Sequence, residues 1–180
     1  MKPLSSEPGA VERTLITTAA GVFTACFSER GLVRLEFPSE ADSRRERDST
    51  KEFSAAPSRW LAMTESALNR GLAGKTLRNF PPIDLRSGTT FQQSVWQMLC
   101  RIPPHQTMTY GEVAQAIGRP KATRAVGQAC GANPIPVIIP CHRVLAAHGR
   151  LGGFSGGLDW KRKLLGLEGI KFSEAVQHID

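Results

Sequence analysis

The chain has 180 residues, of which 41% are hydrophobic, and its formal net charge at pH 7 is +7. This length suits one large domain or two small ones, and the hydrophobic content is ordinary for a folded globular protein. No apolar run approaches the ~20 residues that a membrane-spanning helix needs, and the first residues lack the apolar core of a signal peptide. We therefore expect a cytoplasmic protein that does not associate with membranes.

The four cysteines are scattered along the chain at Cys26, Cys100, Cys130 and Cys141. They form no Cys-x-x-Cys pair, and no histidine lies at the spacing of a metal ligand, so the sequence predicts no zinc site and no other metal or cofactor. Without a signal peptide, free thiols in a reducing compartment are expected. Cys26 lies in a β-rich run, and we interpret it as a buried core thiol.

Positive charge is concentrated in the C-terminal half. Residues 101–163 contain nine lysines and arginines, but their only acidic residues are Glu112 and Asp159. A basic segment of this kind attracts polyanions, nucleic acid first among them. Many soluble proteins are basic without binding DNA, so the charge alone does not decide the function.

The N-terminal half predicts a small sheet followed by one helix. Three β-rich runs separated by glycine-containing turns indicate an antiparallel meander, and they span Arg13–Thr18, Val22–Phe27 and Leu32–Phe37. Residues 40–56 are dense in charge, and we expect a solvated, mobile loop there, centred on Ala41–Lys51. Apolar residues at helical spacing then predict a helix that opens at Pro57 and ends at Gly71 or Gly74. Phe80-Pro81-Pro82 has the composition of a linker.

The C-terminal half opens with three predicted helices. The first has a capping box at Thr90-x-x-Gln93 and is stopped by Pro103-Pro104. The second opens at another capping box, Thr109-x-x-Glu112, and runs to Gly118. The third has Pro120 near its first position and ends near Gly131. Two short helices joined by a glycine-containing turn indicate a helix-turn-helix.

The third predicted helix has an unusual surface for a DNA-binding element. Its small side chains surround one long cation, Arg124, and they are Ala122, Thr123, Ala125 and Gly127. A slim helix can approach a narrow groove, and a single arginine can enter the minor groove or the base stack. The alternative is that the small residues pack against the neighbouring helix and Arg124 is simply solvated.

A cysteine follows a short apolar run near the centre of this half. Val137–Ile139 is β-branched and predicts a buried extended segment that Pro140 ends. Cys141 would then lie at the rim of the core beside His142 and Arg143, a setting that can lower a thiol pKa from its usual ~8.5. The alternative is a buried structural cysteine, since a free thiol packs as a small hydrophobe.

A glycine-rich loop, His148–Gly157, follows the cysteine. Its paired glycines permit close backbone approach, as a base-binding pocket requires, although a flexible surface loop has the same composition. The last predicted helix spans Leu158–Leu165 and is capped by Gly166.

The window Asn133–Val144 resembles the acceptor motif of the O6-alkylguanine-DNA alkyltransferases, and the resemblance extends from Thr89 to Gly169. The shared motifs are Thr109-Tyr110-Gly111-Glu112, Arg124-Ala125-Val126-Gly127, Asn133-Pro134, Pro140-Cys141-His142-Arg143-Val144, Gly156-Gly157 and Lys161-x-x-Leu164-Leu165-x-x-Glu168-Gly169. The resemblance implies an α+β fold. Its N-terminal domain, residues 1–82, would hold the small antiparallel sheet, and its mostly helical C-terminal domain, residues 83–172, would hold a winged-helix-like helix-turn-helix, with a tail at 173–180.

The resemblance also implies a reaction and the residues that perform it. Cys141 would take the alkyl group from O6 of guanine, and less readily from O4 of thymine, irreversibly and once per chain. His142 would act as a base through a water molecule, and Glu168 would orient its imidazole. Asn133 would hold the turn before the cysteine. Tyr110 would press on the DNA backbone and donate a proton to the departing base.

The remaining implied roles concern the base pocket and the DNA. Ser155, Gly152 and the carbonyl of Val144 would contact the flipped guanine. Arg124 would fill the gap left in the duplex, approached through the minor groove, and Lys121, Ala122, Thr123, Gly127 and Tyr110 would complete the DNA-binding surface. The free protein is expected to be a monomer, with cooperative contacts between copies on DNA left open. Two positions depart from many relatives, namely Phe154 in place of tyrosine and Thr123 in place of alanine.

Three other functions remain to be weighed against this one. An alkyltransferase-like protein that only binds damaged DNA would lack the acceptor cysteine. A helix-turn-helix transcription factor would not need Pro140–Val144 or the glycine-rich loop. A cysteine hydrolase would need Cys141 and His142 on one face, whereas adjacent residues on a strand point to opposite faces.

Overall fold

The computed structural model describes residues 11–39 and 58–174. The predicted mobile loop at 40–56 lies outside these ranges, and so does most of the predicted tail. Within them the protein has five strands, five α-helices and two short 3₁₀ turns.

A three-stranded antiparallel sheet forms the N-terminal half, as the sequence predicts. Its strands are β1 (Glu12–Thr18), β2 (Gly21–Ser28) and β3 (Gly31–Glu36), and they lie in the order β1-β2-β3. The central strand is buried along almost its whole length, because it has a neighbour on each side and contributes Phe23, Ala25 and Phe27 to the core. Cys26 is a buried free thiol, in agreement with its interpretation as a core residue.

Helix α1 spans Ser58–Leu72, close to the predicted bounds. Its buried side chains recur at helical spacing, and they are Trp60, Thr64, Ala67 and Leu68. This stripe places α1 against the same hydrophobic core that the sheet covers.

The C-terminal helices are α2 (Thr90–Leu99), α3 (Tyr110–Ala116), α4 (Thr123–Gly131) and α5 (Leu158–Leu167). The capping box of α3, in which Thr109 and Glu112 cap each other, is confirmed. The predicted box of α2 is wrong by one residue, since Thr89 caps the helix and Gln92 returns the bond. Helix α2 also ends at Leu99, four residues before Pro103, rather than at the prolines.

Two other helix boundaries differ from the predictions. Helix α4 starts at Thr123, so Pro120 and Lys121 belong to the turn before it rather than to its first turn. Helix α5 runs through Gly166, which was predicted to cap it, and ends where Glu168 closes the last turn. The shift brings Glu168 to the C-terminus of a helix, where its backbone is fixed by hydrogen bonds to Leu164 and Leu165.

A short parallel ladder connects the helix-turn-helix to the cysteine motif. Strand β4 (Met108–Thr109) precedes α3, and it pairs with β5 (Val144–Leu145), which follows the cysteine. This pairing fixes Tyr110, the first residue of α3, close in space to the segment that begins with Cys141.

The predicted extended segment Val137–Ile139 is wrong in conformation, although its burial is confirmed. Val137 has φ +71°, in the left-handed region, and only single bridge contacts flank the turn. The chain reverses here because Asn133 hydrogen-bonds across the turn, which overrides the preference of β-branched residues for strands.

The mixed fold with a small antiparallel sheet and a helical C-terminal half confirms the predicted α+β class. Buried side chains of both halves form one hydrophobic cluster. The division into domains at residue 82 and into a tail at 173 stays a prediction. In the part of the chain described here, no helix has the length and apolar character to span a membrane.

Candidate active site

Asn133 closes the turn that leads to Cys141. Its side-chain Oδ1 accepts a hydrogen bond from the amide of Ile135 at 3.0 Å. Its Nδ2 donates to the carbonyl of Ile139 at 2.8 Å and lies 3.0 Å from Sγ of Cys141. The buried side-chain amide of Asn133 therefore forms hydrogen bonds at both ends of the turn and also contacts the sulfur of Cys141.

Cys141, His142 and Arg143 form a 3₁₀ turn rather than the end of a strand. All three side chains are buried, and Cys141 is only 2% exposed. Strand alternation, which was expected to separate neighbouring side chains, does not apply in this turn. The cysteine thus lies inside the core and not at its rim.

The expectation of a lowered thiol pKa is wrong. Burial raises the pKa of Cys141 to about 11, while the hydrogen bond from Asn133 and the positive charge of Lys161 act in the opposite direction. Desolvation dominates because a thiolate loses its hydration in the core. At neutral pH the resting group is a thiol, so any reaction of this sulfur needs a base to remove its proton.

His142, the next residue in the chain, can act as this base. Nε2 of His142 is 3.1 Å from Oε1 of Glu168, and both side chains are buried. An ionised carboxylate can only accept, so Nε2 carries the proton and Nδ1 is the basic nitrogen of the ring. Nδ1 is buried and has no hydrogen-bond partner among residues 11–39 and 58–174. Burial also lowers the pKa of His142, although Glu168 opposes this.

Glu168 is held by more than the histidine. Arg143 donates from Nη2 to Oε1 at 2.7 Å and from Nε to Oε2 at 3.0 Å, and its Nη1 donates to the carbonyl of Ile102 at 2.6 Å. Burial alone would raise the pKa of the carboxyl, but His142 and Arg143 outweigh it and lower that pKa to about 2. Arg143 is therefore engaged by Glu168 and is not the cation that activates Cys141.

We predict that this network makes the protein sensitive to acid. A carboxyl whose folded pKa is about 2 instead of 4.5 contributes stability above pH 4.5 and loses it as the pH falls toward 2. His142 acts in the same direction, since its lowered pKa makes the unfolded chain protonate first. The loss from Glu168 is on the order of 3 kcal/mol.

The check is urea unfolding at several values from about pH 6 to about pH 3. The free energy of unfolding should fall more steeply for the parent than for Glu168→Gln, which has no carboxyl to protonate. Parallel curves for the two proteins would contradict the prediction.

Lys161, which the sequence assigns only to the motif shared with Glu168 and to no role, is a buried member of the site. It is 0% exposed, and Nζ donates to the carbonyls of Val144 at 2.8 Å, Gly153 at 3.4 Å and Leu151. Burial lowers its pKa to about 8. The available signal was spacing, because Lys161 lies three, four and seven residues before the buried Leu164, Leu165 and Glu168 and so shares their helix face.

Tyr110 and the glycine-rich loop lie against each other. Gly152 has φ +64°, and a Cβ at this position would lie 2.8 Å from the hydroxyl oxygen of Tyr110, so only glycine fits. The hydroxyl of Tyr110 donates to the carbonyl of Gly153 at 3.5 Å. Burial, together with Cys130 and Cys141, raises the pKa of Tyr110 to about 12, so the phenol keeps its proton.

Ser155 lies on the far side of this loop and is exposed. It borders a cleft of about 400 Å³, whose other walls include Arg34, Phe37, Asn133, Pro136 and Gly156. Phe154 is half-buried, and its ring packs on Phe37 with centroids 5.8 Å apart. Phe154 thus anchors the loop to Phe37, the residue that follows β3.

The predicted DNA-binding residues fall on one exposed stretch. Lys121, Thr123 and Arg124 are exposed, whereas Ala122 and Gly127 are half-buried. A Cβ on Gly127 would lie 3.9 Å from the ring of Tyr110. Because Gly127 is one helical turn after Arg124, Tyr110 and Arg124 lie along the same side of α4. The opposite side is fixed by a hydrogen bond from Trp96 to the carbonyl of Ala129 at 2.8 Å.

Comparison with known protein sequences identifies relatives of this chain. Residues 90–170 match the model of the DNA-binding domain of 6-O-methylguanine DNA methyltransferase. A methylated-DNA–protein-cysteine methyltransferase of Mycobacterium tuberculosis is 52% identical over 101 residues, which cover 56% of this chain and 61% of that one. One of Methanosarcina acetivorans is 58% identical over 82 residues, covering 46% and 53%. The matched segment therefore spans less than two thirds of these curated relatives.

Solved structures extend the match to nearly the whole chain. The crystal structure of M. tuberculosis O6-methylguanine methyltransferase superposes with a TM-score of 0.71 and is 39% identical, covering 88% of this chain and 93% of that one. The crystal structure of M. tuberculosis OGT in complex with DNA has a TM-score of 0.67 and 39% identity, covering 86% and 90%. This chain belongs to the O6-methylguanine-DNA methyltransferase family.

Proposed function

We propose that this protein repairs alkylated DNA by transferring the alkyl group from O6 of guanine to the sulfur of Cys141. The observation that carries the proposal is a buried thiol bound by Asn133 and followed by a His142–Glu168 pair, whose basic Nδ1 has no hydrogen-bond partner among the described residues. A thiolate is a soft nucleophile suited to attack on an alkyl carbon. Neither a DNA-binding module nor a transcription factor requires such a pair.

Proton movement follows from the protonation states of the site. Nδ1 of His142 takes the proton of the Cys141 thiol through a water molecule, and Glu168 stabilises the imidazolium that forms. The new bond joins sulfur to the alkyl carbon, and the bond from that carbon to O6 breaks. The electron pair stays with the guanine, which Tyr110 neutralises by donating its phenolic proton. Water returns a proton to the phenolate, and His142 releases the thiol proton to water, so the net change is the transfer of one proton from sulfur to guanine.

The product is a thioether, and no side chain of the site can cleave it. We therefore propose a single transfer per chain. We propose the same transfer, less readily, from O4-alkylthymine. Gly152, Ser155 and the carbonyl of Val144 would surround the flipped base.

The proposed partner is double-stranded DNA, bound by α4 through the minor groove. Rotating a nucleotide out of the duplex costs a few kcal/mol, and a poorly paired lesion lowers that cost. Arg124 would occupy the vacated space, with Lys121, Ala122, Thr123, Gly127 and Tyr110 forming the surrounding surface. We propose a monomer in the absence of DNA; whether neighbouring copies cooperate on DNA can be determined by titration on longer duplexes.

Intact-protein mass spectrometry tests the transfer directly. The protein is mixed with excess duplex that contains one O6-methylguanine, and the expected result is that each chain gains one methyl group in place of one hydrogen. Peptide mapping should locate the methyl on Cys141. The matched variants are Cys141→Ala, which should gain nothing, and Cys100→Ala, which removes an exposed thiol and should behave as the parent. Tight binding without a mass change would instead establish recognition without transfer, and continued turnover would establish a hydrolase.

Removing the Arg124 side chain should slow repair of duplex DNA much more than it slows the alkyl transfer itself. We predict that Arg124→Ala slows methyl uptake from duplex DNA by about a hundredfold, because the cost of base flipping is no longer offset. Uptake from the free base O6-benzylguanine should change less than about threefold, since no duplex has to open. Rates from mass spectrometry at equal protein concentration decide this. The control is Arg59→Ala, an exposed cation on α1, and equal losses on both substrates would remove the role of Arg124.

A further inference from the structure

Val137 adopts a backbone conformation that its side chain disfavours. Its φ of +71° lies in the left-handed region, which β-branched residues rarely occupy, and it is 1% exposed in the core. Such conformations cost on the order of 1–3 kcal/mol and persist only where surrounding contacts impose them. The contacts that hold this one come from Asn133 on the inside of the turn and from the N-terminal half on its outside.

Helix α1 packs directly on Val137 at Gly71. A Cβ added to Gly71 would lie 2.6 Å from Cγ1 of Val137, so the two residues meet where only a glycine leaves room. Strand β3 contacts the same turn at a second point, since the amide of Leu35 donates to the carbonyl of Pro134 at 2.9 Å. Two N-terminal elements therefore hold the outside of the turn whose inside is bridged by Asn133.

Backbone hydrogen bonds connect the turn around Val137 to Cys141. The amide of Ile139 donates to the carbonyl of Ile135 at 2.8 Å, which closes the turn around Val137. The amide of Cys141 then donates to the carbonyl of Ile139 at 2.8 Å. That same carbonyl accepts from Nδ2 of Asn133, the atom that also contacts Sγ. A rotation at Val137 would move Ile139 and would separate Asn133 from Cys141.

We infer that Gly71 and Val137 are positioning residues for Cys141, with α1 holding the turn in its left-handed form so that Asn133 stays bonded to the sulfur. The inference rests on the proposed transfer and deepens it, because it gives the N-terminal half a role in the reaction without contributing a reacting group. It also explains why a glycine stands inside α1, where alanine would otherwise favour the helix.

The test is a rescue experiment. Gly71→Ala inserts a methyl against Val137 and should slow alkyl uptake by Cys141 at least about tenfold. Duplex DNA and free O6-benzylguanine should be affected alike, because the change acts at the sulfur and not on the DNA. Adding Val137→Ala removes Cγ1 and should restore the rate to within about threefold of the parent. The matched control is Gly166→Ala, a helical glycine in α5 with no atom within 4 Å of an added Cβ.

A second measurement separates positioning from a general loss of stability. Iodoacetamide labelling of Cys141, followed by peptide mass across a pH series, reports where the thiol ionises. Loss of the hydrogen bond from Asn133 should shift this profile to higher pH in Gly71→Ala, and the double variant should return it. Thermal unfolding is followed in parallel and is not expected to recover in the same way.

Two results would overturn the inference: a parental rate in Gly71→Ala, or a double variant that stays as slow as Gly71→Ala with an unshifted labelling profile. A parent protein that accepts no alkyl group from either substrate would refute the proposed function instead. In that case the labelling profile still decides whether Gly71 and Val137 position the thiol.

Discussion

Replacing Glu168 with glutamine is expected to slow alkyl uptake by Cys141 at least about a hundredfold and to destabilise the protein by about 3 kcal/mol. The rate falls because a neutral amide no longer stabilises the imidazolium that forms when His142 takes the thiol proton. The stability falls because Arg143 stays buried, with the carbonyl of Ile102 as its remaining strong acceptor. Both effects follow from one carboxylate that accepts from His142 and Arg143 within 3.1 Å.

The two effects can be measured separately. Rates are taken with free O6-benzylguanine at a temperature where circular dichroism shows the variant fully folded, and stability is taken from urea unfolding. Glu65→Gln, an exposed carboxylate on α1, is the control and should match the parent in both. A Glu168→Gln variant that is less stable yet reacts at the parental rate would limit Glu168 to a structural role.

The local features of the fold were predictable because short-range patterns determine them. The three strands and α1 were placed within one or two residues, since turn residues and apolar periodicity mark both their ends and their buried faces. The capping box of α2 was ambiguous for a local reason. Thr89 and Thr90 are each followed three residues later by a glutamine, so the pattern fits both, and in the structure Thr89 is the cap.

The errors at the site have a common physical cause, which is tertiary contact. Val137 is predicted to be extended from its β-branched side chain, but the hydrogen bond of Asn133 across the turn and the room left by Gly71, sixty-six residues earlier, give it a left-handed conformation. The sequence placed Arg143 beside Cys141 and suggested a lowered thiol pKa. In the folded chain that guanidinium binds Glu168, twenty-five residues later, and burial raises the pKa of the thiol.

Lys161 is the clearest example of a residue whose role depends on the fold. In the sequence it stands among Lys161-Arg162-Lys163, which resembles a solvated basic run. In the protein its neighbour Lys163 is exposed over the ring of Trp160, whereas Lys161 is enclosed by backbone carbonyls. The acceptors are backbone carbonyls of strand β5 and of the glycine-rich loop, and because every residue has such a carbonyl, the side-chain pattern does not identify them.

Substituting Lys161 with methionine should therefore disturb the glycine-rich loop and, through that loop, the active site. Methionine has a similar length and is apolar, so it fills the space but leaves the carbonyls of Val144, Leu151 and Gly153 without their donor. Each buried acceptor left unpaired costs about 1–3 kcal/mol, unless the loop moves to hydrate it. We expect the loop to move, because its carbonyls then regain hydrogen bonds from water. The loss of stability should stay modest, since removing the buried ammonium also removes its own desolvation cost.

The expected result is a loss of about a hundredfold in alkyl uptake with a smaller loss of stability. Movement of the loop displaces Gly152 from Tyr110 and takes the pocket wall away from Cys141, so duplex DNA and the free base should be affected alike. Hydrogen exchange should increase across residues 144–157 and stay unchanged in β1, β2 and β3. Lys163→Met, on the exposed side of the same helix, is the matched control. A Lys161→Met protein with parental exchange in this loop would show that the backbone, and not the ammonium, determines the shape of the pocket.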